Sequence, residues 1–174
     1  MRRRPERLTT GEWAVLSLVG EGPTHGFAVA RAMAAGGEVG RVWAMRRPLV
    51  YRTLDQLEAR GLTRVAGTEA SESGPPRTLI ESTGEGTRMV GEWLREPVEH
   101  LRDARSELML KLLFLDRRAA DPGPLLAAQR EWLVEREDGL RAEVRDAEGF
   151  ARTLALWRAE SAAAAIRFVD ALTG

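Results

Sequence analysis

Side chains that can contact DNA phosphates and base edges are concentrated in the segment 46–56. Arginine, tyrosine and glutamine donate hydrogen bonds to phosphates, and arginine and glutamine also recognise base edges. The spacing of Val50, Leu54 and Leu57 predicts a helix with one apolar face, which leaves the polar side chains on the other face. An ordinary amphipathic surface helix is the alternative interpretation. The predicted DNA-contacting residues are Arg46, Arg47, Pro48, Tyr51, Arg52 and Gln56.

The neighbouring sequence predicts how this helix is held. Pro48 suits a first helical turn, and Gly61 is typical of a helix end. Upstream, Thr9 and Glu12 have the spacing of a capping box, which predicts a helix that begins at Thr9 and ends before Pro23. A second short helix is expected from about residue 24, with three apolar side chains on its core side: Phe27, Ala30 and Met33.

Two strands are predicted after the DNA-contacting helix. Leu62–Ala66 and Arg77–Glu81 have strand composition, and the polar segment Gly67–Pro76 is expected to be the loop between them. A further helix is expected over Thr83–Leu94. Three helices followed by a hairpin are typical of a winged helix-turn-helix, so Arg77 is predicted to approach DNA from the wing.

Several motifs in the first half of the chain resemble the PadR family of bacterial transcriptional regulators. Their order and spacing, rather than any single motif, carry the resemblance. It implies a dimeric winged-helix regulator that binds operator DNA, whereas the MarR group places a dimerisation helix before its DNA-binding domain. The matching segments are Thr24-His25-Gly26-Phe27, Val50 to Glu58 with Gly61-Leu62, Gly74-Pro75-Pro76-Arg77 and Thr83-Gly84-Glu85-Gly86.

The sequence also departs from the family pattern. Leu79 and Ile80 stand on the second wing strand, where the family usually has aromatic residues. The small residue that commonly begins the recognition helix is replaced by arginines and a proline, so guanidinium groups are expected to supply the phosphate contacts there. Glu69 and Glu72 in the wing would repel a DNA backbone. The helix is therefore the stronger candidate for reading DNA.

Charge is distributed unevenly along a chain whose formal net charge is zero. Residues 1–65 carry eleven arginines against six acidic residues, whereas residues 97–174 carry twelve basic against fourteen acidic residues. The basic excess therefore lies where DNA contact is predicted.

The arginines at positions 2–4 are interpreted either as an arm on phosphates or as a solvated terminus. Cysteine is absent, and neither a signal peptide nor a bilayer-spanning segment is recognised, so a cytoplasmic location is expected.

The second half predicts long helices with apolar stripes. One stripe runs from Val98 to Leu115, a second from Leu126 to Val144 interrupted by Gln129 and Arg136, and a third from Phe150 to Leu172. These faces need a partner, either within a monomeric bundle or in a second chain. We favour a homodimer, because two-fold symmetry matches two DNA half-sites. The third stripe consists of Phe150, Leu154, Trp157, Ala164 or Ala165, Phe168 and Leu172.

A small-molecule effector is a further expectation. The family resemblance implies phenolic acids or planar hydrophobic drugs as effectors, and aromatic walls suit such ligands. Trp93, Trp132 and Trp157 are candidates, and Trp93 is preferred because it lies at the junction of the two halves. The alternative is that these tryptophans only pack in a core or in a dimer interface.

The sequence therefore predicts a mainly α fold with a small β-hairpin, in which an N-terminal winged helix-turn-helix at residues 1–96 precedes a helical dimerisation and effector domain at 97–174. Neither His25 nor His100 lies in a metal-site or triad spacing, and the glycines from 84 to 91 match no nucleotide-binding fingerprint. We expect no enzyme activity, cofactor or metal. The alternative function is a winged-helix module that binds a protein. In that case changes at Arg47, Tyr51 or Arg52 would leave function intact, and changes on the C-terminal helices would abolish it.

Overall fold

A computed structural model describes residues 7–70 and 76–174 of the 174-residue chain. The chain divides into two compact units, Met1–Trp93 and Leu94–Gly174. The predicted domain boundary lay slightly later, between residues 96 and 97. The predicted N-terminal arm, Glu72, Gly74 and Pro75 lie outside the described residues.

The first unit is a winged helix-turn-helix, as predicted. Its sheet has three antiparallel strands: the two strands of the predicted hairpin, and a short strand that directly precedes the second helix. The strand order in the sheet is first, third, second. The predicted hairpin is thus part of a three-stranded sheet. Its elements are α1 (Thr10–Val19), β1 (Thr24–His25), α2 (Gly26–Met33), α3 (Arg47–Ala59), β2 (Thr63–Glu69), β3 (Arg77–Ser82) and α4 (Gly84–Trp93).

The predicted capping box at the start of α1 is confirmed. Thr9 Oγ1 accepts a hydrogen bond from the backbone N–H of Glu12 at 3.3 Å, and the backbone N–H of Thr9 donates to Glu12 Oε2 at 2.7 Å. The two bonds satisfy N–H groups that a helix start leaves without intrahelical partners. Most of α1 is buried, from Trp13 to Val19, so this helix is the centre of the unit's core.

The hairpin differs from its prediction at Gly67. This residue was expected to begin the loop, but it lies within β2, which continues to Glu69. The strand register shifts between Val65 and Gly67, where Gly67 has a φ of 152°. An extra residue at such a bulge bends the strand, and glycine adopts this φ without a steric penalty. A break in apolar alternation was therefore a bulge and not the end of the strand.

The helix after the wing is locked onto the end of α3. Thr83 Oγ1 donates to the carbonyl of Gly61 at 2.8 Å and accepts from the backbone N–H of Gly86 at 3.1 Å. A Cβ atom at Gly86 would lie 2.2 Å from the carbonyl oxygen of Leu62. The close approach of α4 to this turn therefore requires glycine at position 86.

The second unit contains three α-helices, α5 (Met109–Arg117), α6 (Gly123–Asp146) and α7 (Gly149–Thr173). The continuous helix predicted from Pro97 to Leu115 is wrong in its first part. A 3-10 turn at Leu101–Asp103 and a π-helical segment at Ala104–Leu108 precede α5. A π-helical segment changes which side chains of the following helix face the core. Lys111 in α5 is buried, and its Nζ donates to the carbonyl of Glu96 at 2.6 Å.

The second stripe is packed within the unit, as a bundle would require. Leu126, Leu133 and Leu140 of α6 are buried. Gln129 on the same stripe is fully buried and forms two hydrogen bonds with the backbone of Val98: its Oε1 accepts at 2.7 Å and its Nε2 donates at 3.2 Å. Gln129 stands in the apolar pattern because its side chain forms hydrogen bonds with the backbone N–H and carbonyl of Val98, which lies outside any helix.

Helices α6 and α7 form an antiparallel pair. Arg130 near the start of α6 pairs with Asp170 near the end of α7 at 2.6 Å, and Arg141 pairs with Glu160 at 2.9 Å. On α7 the buried side is made mainly of small side chains. These are Ala155, Ala159 and Ala162, together with Val169.

The third predicted stripe is therefore on the outside of the unit. Phe150 is 79% exposed and Trp157 is 71% exposed, and Leu154, Phe168 and Leu172 are also exposed. The periodicity of the stripe was identified correctly, but nothing in the described chain covers it.

Adding a methyl group to α4 should have opposite effects at two of its glycines. Gly86→Ala places its Cβ against the Leu62 carbonyl, and relief of that clash should cost about 1–3 kcal/mol of stability. Gly91→Ala in the same helix meets no atom within 4 Å and should stabilise by about 0.5–1 kcal/mol through helix propensity. Thermal unfolding of the two variants tests this, and an unchanged midpoint for Gly86→Ala contradicts the close approach.

Candidate DNA-binding surface

Helix α3 forms as predicted, with Pro48 in its first turn and Gly61 just beyond its end at a φ of 71°. Its buried face consists of Val50, Thr53, Leu54 and Leu57. With one face packed on the unit's core, the opposite face is directed to solvent. The predicted contact residues of the helix are all exposed there: Arg46, Arg47, Pro48, Tyr51, Arg52 and Gln56.

Arg47 is held between two aromatic rings. Its guanidinium carbon lies 5.5 Å from the ring centroid of Phe27 and 5.6 Å from that of Tyr51. A cation at this distance from a ring is attracted by the ring's quadrupole, and a planar guanidinium on an aromatic keeps its N–H groups free for other partners. The arrangement limits the conformations of Arg47 before any ligand binds.

The position of Phe27 corrects the sequence prediction. This residue was assigned to the core side of the second helix, but 48% of its surface is exposed, while Val29, Ala30 and Met33 form the buried side of α2. Apolar periodicity alone did not separate a core residue from an aromatic residue that packs on a neighbouring guanidinium. Phe27 therefore joins the surface formed by α3.

Tyr51 packs closely on the start of α2. A Cβ atom at Gly26 would lie only 2.7 Å from Cε1 of the tyrosine ring. The absence of a side chain at Gly26 therefore allows the ring to lie against the backbone. Since Tyr51 is still 38% exposed, it combines a fixed ring with an accessible surface.

Arg77 reaches the same surface from β3. Its Nη1 lies 3.2 Å from Nε2 of His25, whose Nδ1 accepts the backbone N–H of Ala28 at 3.1 Å and so caps α2. A neutral imidazole has one acceptor nitrogen. Because Nδ1 is the acceptor, Nε2 carries the proton of the neutral ring. The guanidinium donors of Arg77 therefore have no acceptor on this ring.

A continuous row of side chains thus connects the wing to α3. The His25 ring stacks near Phe27 with centroids 6.3 Å apart, and Phe27 contacts Arg47. We give the name arginine face to nine residues of this row and of α3, and the exposed carboxylate of Asp55 lies on the same side of the helix. The arginine face consists of His25, Phe27, Arg46, Arg47, Pro48, Tyr51, Arg52, Gln56 and Arg77.

No ion pair is formed by the arginines of the arginine face within the part of the chain that the structure describes. These arginines are Arg46, Arg47, Arg52 and Arg77. Glu69 is the cross-strand partner of Arg77 in the register of β2 and β3, so this glutamate of the wing lies beside the wing arginine. Some other arginines of the unit are paired: Arg60 lies 3.3 Å from Glu12, and Arg64 lies 2.7 Å from Glu81. Unpaired guanidinium groups on a solvent face can bind phosphates or base edges.

Trp93, the preferred effector residue, is packed inside the first unit. Its ring stacks on that of Trp13 with centroids 5.1 Å apart and an angle of 8° between the planes, and only 3% of the residue is exposed. A ligand would have to displace this stack in order to reach the ring. The effector role of Trp93 remains a prediction, and its observed contacts favour packing.

No group of three or more His, Asp or Glu side chains in the described part of the chain is arranged to hold a metal ion. Across the same residues, every helix is too short or too polar to cross a bilayer.

The sequence matches no family model and no curated protein. Among solved structures, Bacillus subtilis PadR in complex with operator DNA is 18% identical, with 94% of this chain and 97% of that chain covered and a TM-score of 0.47. A Streptococcus mutans protein is 12% identical, with 95% and 99% covered and a TM-score of 0.44. A PadR-like transcriptional regulator from Bacillus cereus is 18% identical, with 97% and 96% covered and a TM-score of 0.43. Two of the three bear the name of the family that the sequence motifs resemble.

Two substitutions of His25 should separate its capping role from its ring contacts. His25→Ala removes the acceptor for the Ala28 N–H and should destabilise the chain by about 1 kcal/mol. His25→Asn restores a side chain that caps helices well and should recover most of that loss. Thermal unfolding measures both variants. Equal stability of the alanine variant and the unmodified chain contradicts the cap.

Proposed function

We propose that this chain is a sequence-specific DNA-binding transcriptional regulator of the PadR type, with α3 as its recognition helix. The observation that carries the proposal is the arginine face. It combines three arginines, one glutamine and a tyrosine at the exposed side of α3 with Arg77 from the wing, and none of the four arginines forms an ion pair among the described residues. These groups are suited to a double-stranded DNA operator.

The dimensions and chemistry of the arginine face fit the major groove. The groove is about 12 Å wide and admits an α-helix whose side chains reach base edges. Arg52 and Gln56 lie one turn apart on α3, so both could reach neighbouring base edges, and Arg47 lies nearer the helix start. Arg46 at the helix start and Arg77 on the wing are proposed to contact phosphates.

The constraint on Arg47 supports a role in recognition rather than in attraction alone. A free arginine loses rotamer entropy when it binds, and immobilising such a side chain costs about 0.5–1.5 kcal/mol. The rings of Phe27 and Tyr51 impose part of that order before DNA arrives. Preorganised donors favour one geometry of acceptors and thereby one base sequence.

The exposed stripe of α7 supports a homodimer. A contiguous apolar surface of this kind is unusual on a monomeric protein and marks an interaction site. The stripe runs along a helix of 25 residues, about 37 Å in length, which is enough for an extended helix-to-helix interface. A second copy of the chain is the proposed occupant, because two-fold symmetry presents two identical recognition helices to an inverted repeat.

Repression by occupancy is the proposed mode of action, and a small-molecule effector is proposed to release the operator. Release requires that the effector bind the operator-free conformation more tightly than the DNA-bound one. No chemical step is needed for this function, so we propose no enzyme activity. A cytoplasmic location follows from access to operator DNA.

Loss of a single arginine from the arginine face should weaken DNA binding. Arg47→Ala or Arg52→Ala should reduce affinity for a selected operator by about 1–3 kcal/mol where the side chain reads a base. Where it contacts a phosphate instead, affinity for all sequences falls and the salt dependence decreases by about one ion. Fluorescence anisotropy at several salt concentrations measures both effects.

The matched control is Arg88→Ala on α4. Arg88 is exposed but is held by Glu85 at 2.6 Å and by Glu92, and its hydrogen bond lowers the pKa of Glu85. Its guanidinium is therefore not available to DNA, and binding should be unchanged. Unchanged binding by Arg47→Ala and Arg52→Ala variants would instead favour the protein-binding module.

Charges on the α7 stripe should dissociate the dimer. Phe168→Asp with Leu172→Asp places carboxylates in the proposed interface, and burying unpaired charges there is strongly unfavourable. Leu156→Asp is the matched control, because Leu156 is 41% exposed but lies on another side of α7. Sedimentation should give about twice 19.2 kDa for the unmodified chain and the control, and 19.2 kDa for the double variant. A monomeric unmodified chain contradicts the proposal.

A further inference from the structure

One acidic side chain lies on the surface that is proposed to contact DNA. Positions 48, 52, 55 and 59 of α3 are separated by three or four residues, so their side chains lie along one line of the helix. This line is on the side opposite Val50 and Leu57, which are buried in the core. All four residues of the line are exposed: Pro48, Arg52, Asp55 and Ala59.

The contacts among the described residues give no structural reason for an aspartate at position 55. Aspartate has a low helix propensity, and a carboxylate in the second half of a helix is not favoured by the helix dipole. Asp55 lies in that half of α3, and its side chain forms no hydrogen bond or ion pair with a described residue, although Arg52 is one turn away. A residue that is locally unfavourable and has no compensating contact is expected at a functional position.

The location of Asp55 suits a short side chain. When a helix enters the major groove, the line directed away from its core comes nearest to the base edges, and the flanks of the helix come nearest to the phosphates. A side chain as short as that of aspartate can reach a base from this line only. Pro48 and Ala59 at the two ends of the line are compact and permit a close approach of the helix.

A carboxylate distinguishes between the four bases because it only accepts hydrogen bonds. In the major groove guanine and thymine present acceptors, which repel a carboxylate, whereas cytosine and adenine present amino groups. The amino group of adenine lies between two acceptors, its own N7 and O4 of the paired thymine. The amino group of cytosine has an acceptor on one side only, O6 of the paired guanine. Cytosine is therefore the base that suits a carboxylate best.

We propose that Asp55 recognises a cytosine at one position of each operator half-site. Its carboxylate accepts a hydrogen bond from N4 of that base, and its charge weakens binding where another base faces it. Arg52 and Gln56 carry donors that suit guanine and adenine, so an acceptor beside them gives α3 a pattern that arginines alone would lack. The inference rests on the proposed function and adds a determinant of sequence selectivity to it.

The test begins with duplex fragments that the unmodified full-length chain selects from a randomised pool. Each base pair of the selected half-site is then replaced by the other three, and affinities are measured by fluorescence anisotropy at near-physiological salt. At one position the unmodified chain should prefer cytosine by about five- to 150-fold, which corresponds to one good base contact. Asp55→Ala should reduce this preference to less than about twofold and leave the preferences at other positions unchanged.

Asp55→Asn should change the preference at the same position from cytosine to adenine. An asparagine amide donates to N7 of adenine and accepts from its N6, whereas a carboxylate cannot donate. Neither variant should unfold at a lower temperature than the unmodified chain, because the side chain of Asp55 has no described partner to lose and alanine has the higher helix propensity. A changed base preference is thereby separated from a loss of fold.

The matched control is Glu69→Gln, which removes one negative charge from the wing. Glu69 is exposed on β2, the strand that pairs with β3, and does not lie on α3. The substitution should raise the affinity for all fragments alike, because it removes repulsion of phosphates without changing a base contact. It therefore measures the effect of charge alone.

Three results would overturn the inference. They are an Asp55→Ala variant that keeps every base preference of the unmodified chain, an Asp55→Ala variant that only raises the affinity for all fragments alike, as the control does, and an Asp55→Asn variant that still prefers cytosine as strongly as the unmodified chain. Failure of the unmodified chain to select any shared motif would contradict the proposed regulator itself. A shared motif that Asp55→Ala leaves unchanged contradicts the role of Asp55 alone, so the two failures are distinguishable.

Discussion

Burial of one face of α3 is the constraint on which the rest of the first unit depends. Val50 and Leu57 are fully buried, so the rotation of the helix about its axis is fixed by the core. The opposite face must then carry side chains that tolerate water, and it carries arginines. The contacts of α3 within the arginine face follow from this rotation: Arg47 lies near the rings of Phe27 and Tyr51, and the Tyr51 ring lies against the backbone of Gly26.

The two units bury apolar side chains in different ways. In the first, large side chains are directed inward, as at Leu16 and Leu57. In the second, α7 packs on α6 through alanines and directs Phe150 and Trp157 outward. Small residues allow two helices to approach closely, but they remove little apolar surface from water. A second copy of the chain would bury the side chains that the α6–α7 pair leaves exposed.

Local chemistry was predictable from the sequence, and nonlocal packing was not. The capping box at Thr9 and Glu12, the limits of α3 and the exposure of its arginines depend on residues within a few positions of one another. The strand at Thr24–His25 depends on its pairing with β3, and the exposure of Phe27 depends on Arg47, twenty positions later. The stripe of α7 was found by its period, but periodicity does not say whether a face meets its own chain or another. The sequence did not indicate that Trp93 stacks on Trp13, because the two residues are distant in the chain.

The most direct test of the central claim is sequencing of genomic DNA fragments that the purified protein retains at low and at near-physiological salt. Specific recognition by two symmetric copies of α3 predicts one or a few sites that contain an inverted repeat and persist at the higher salt, with half-sites spaced by about 10 base pairs or a multiple. Non-specific contacts depend steeply on counterion release. Retention at low salt alone, without a shared motif, would contradict the account.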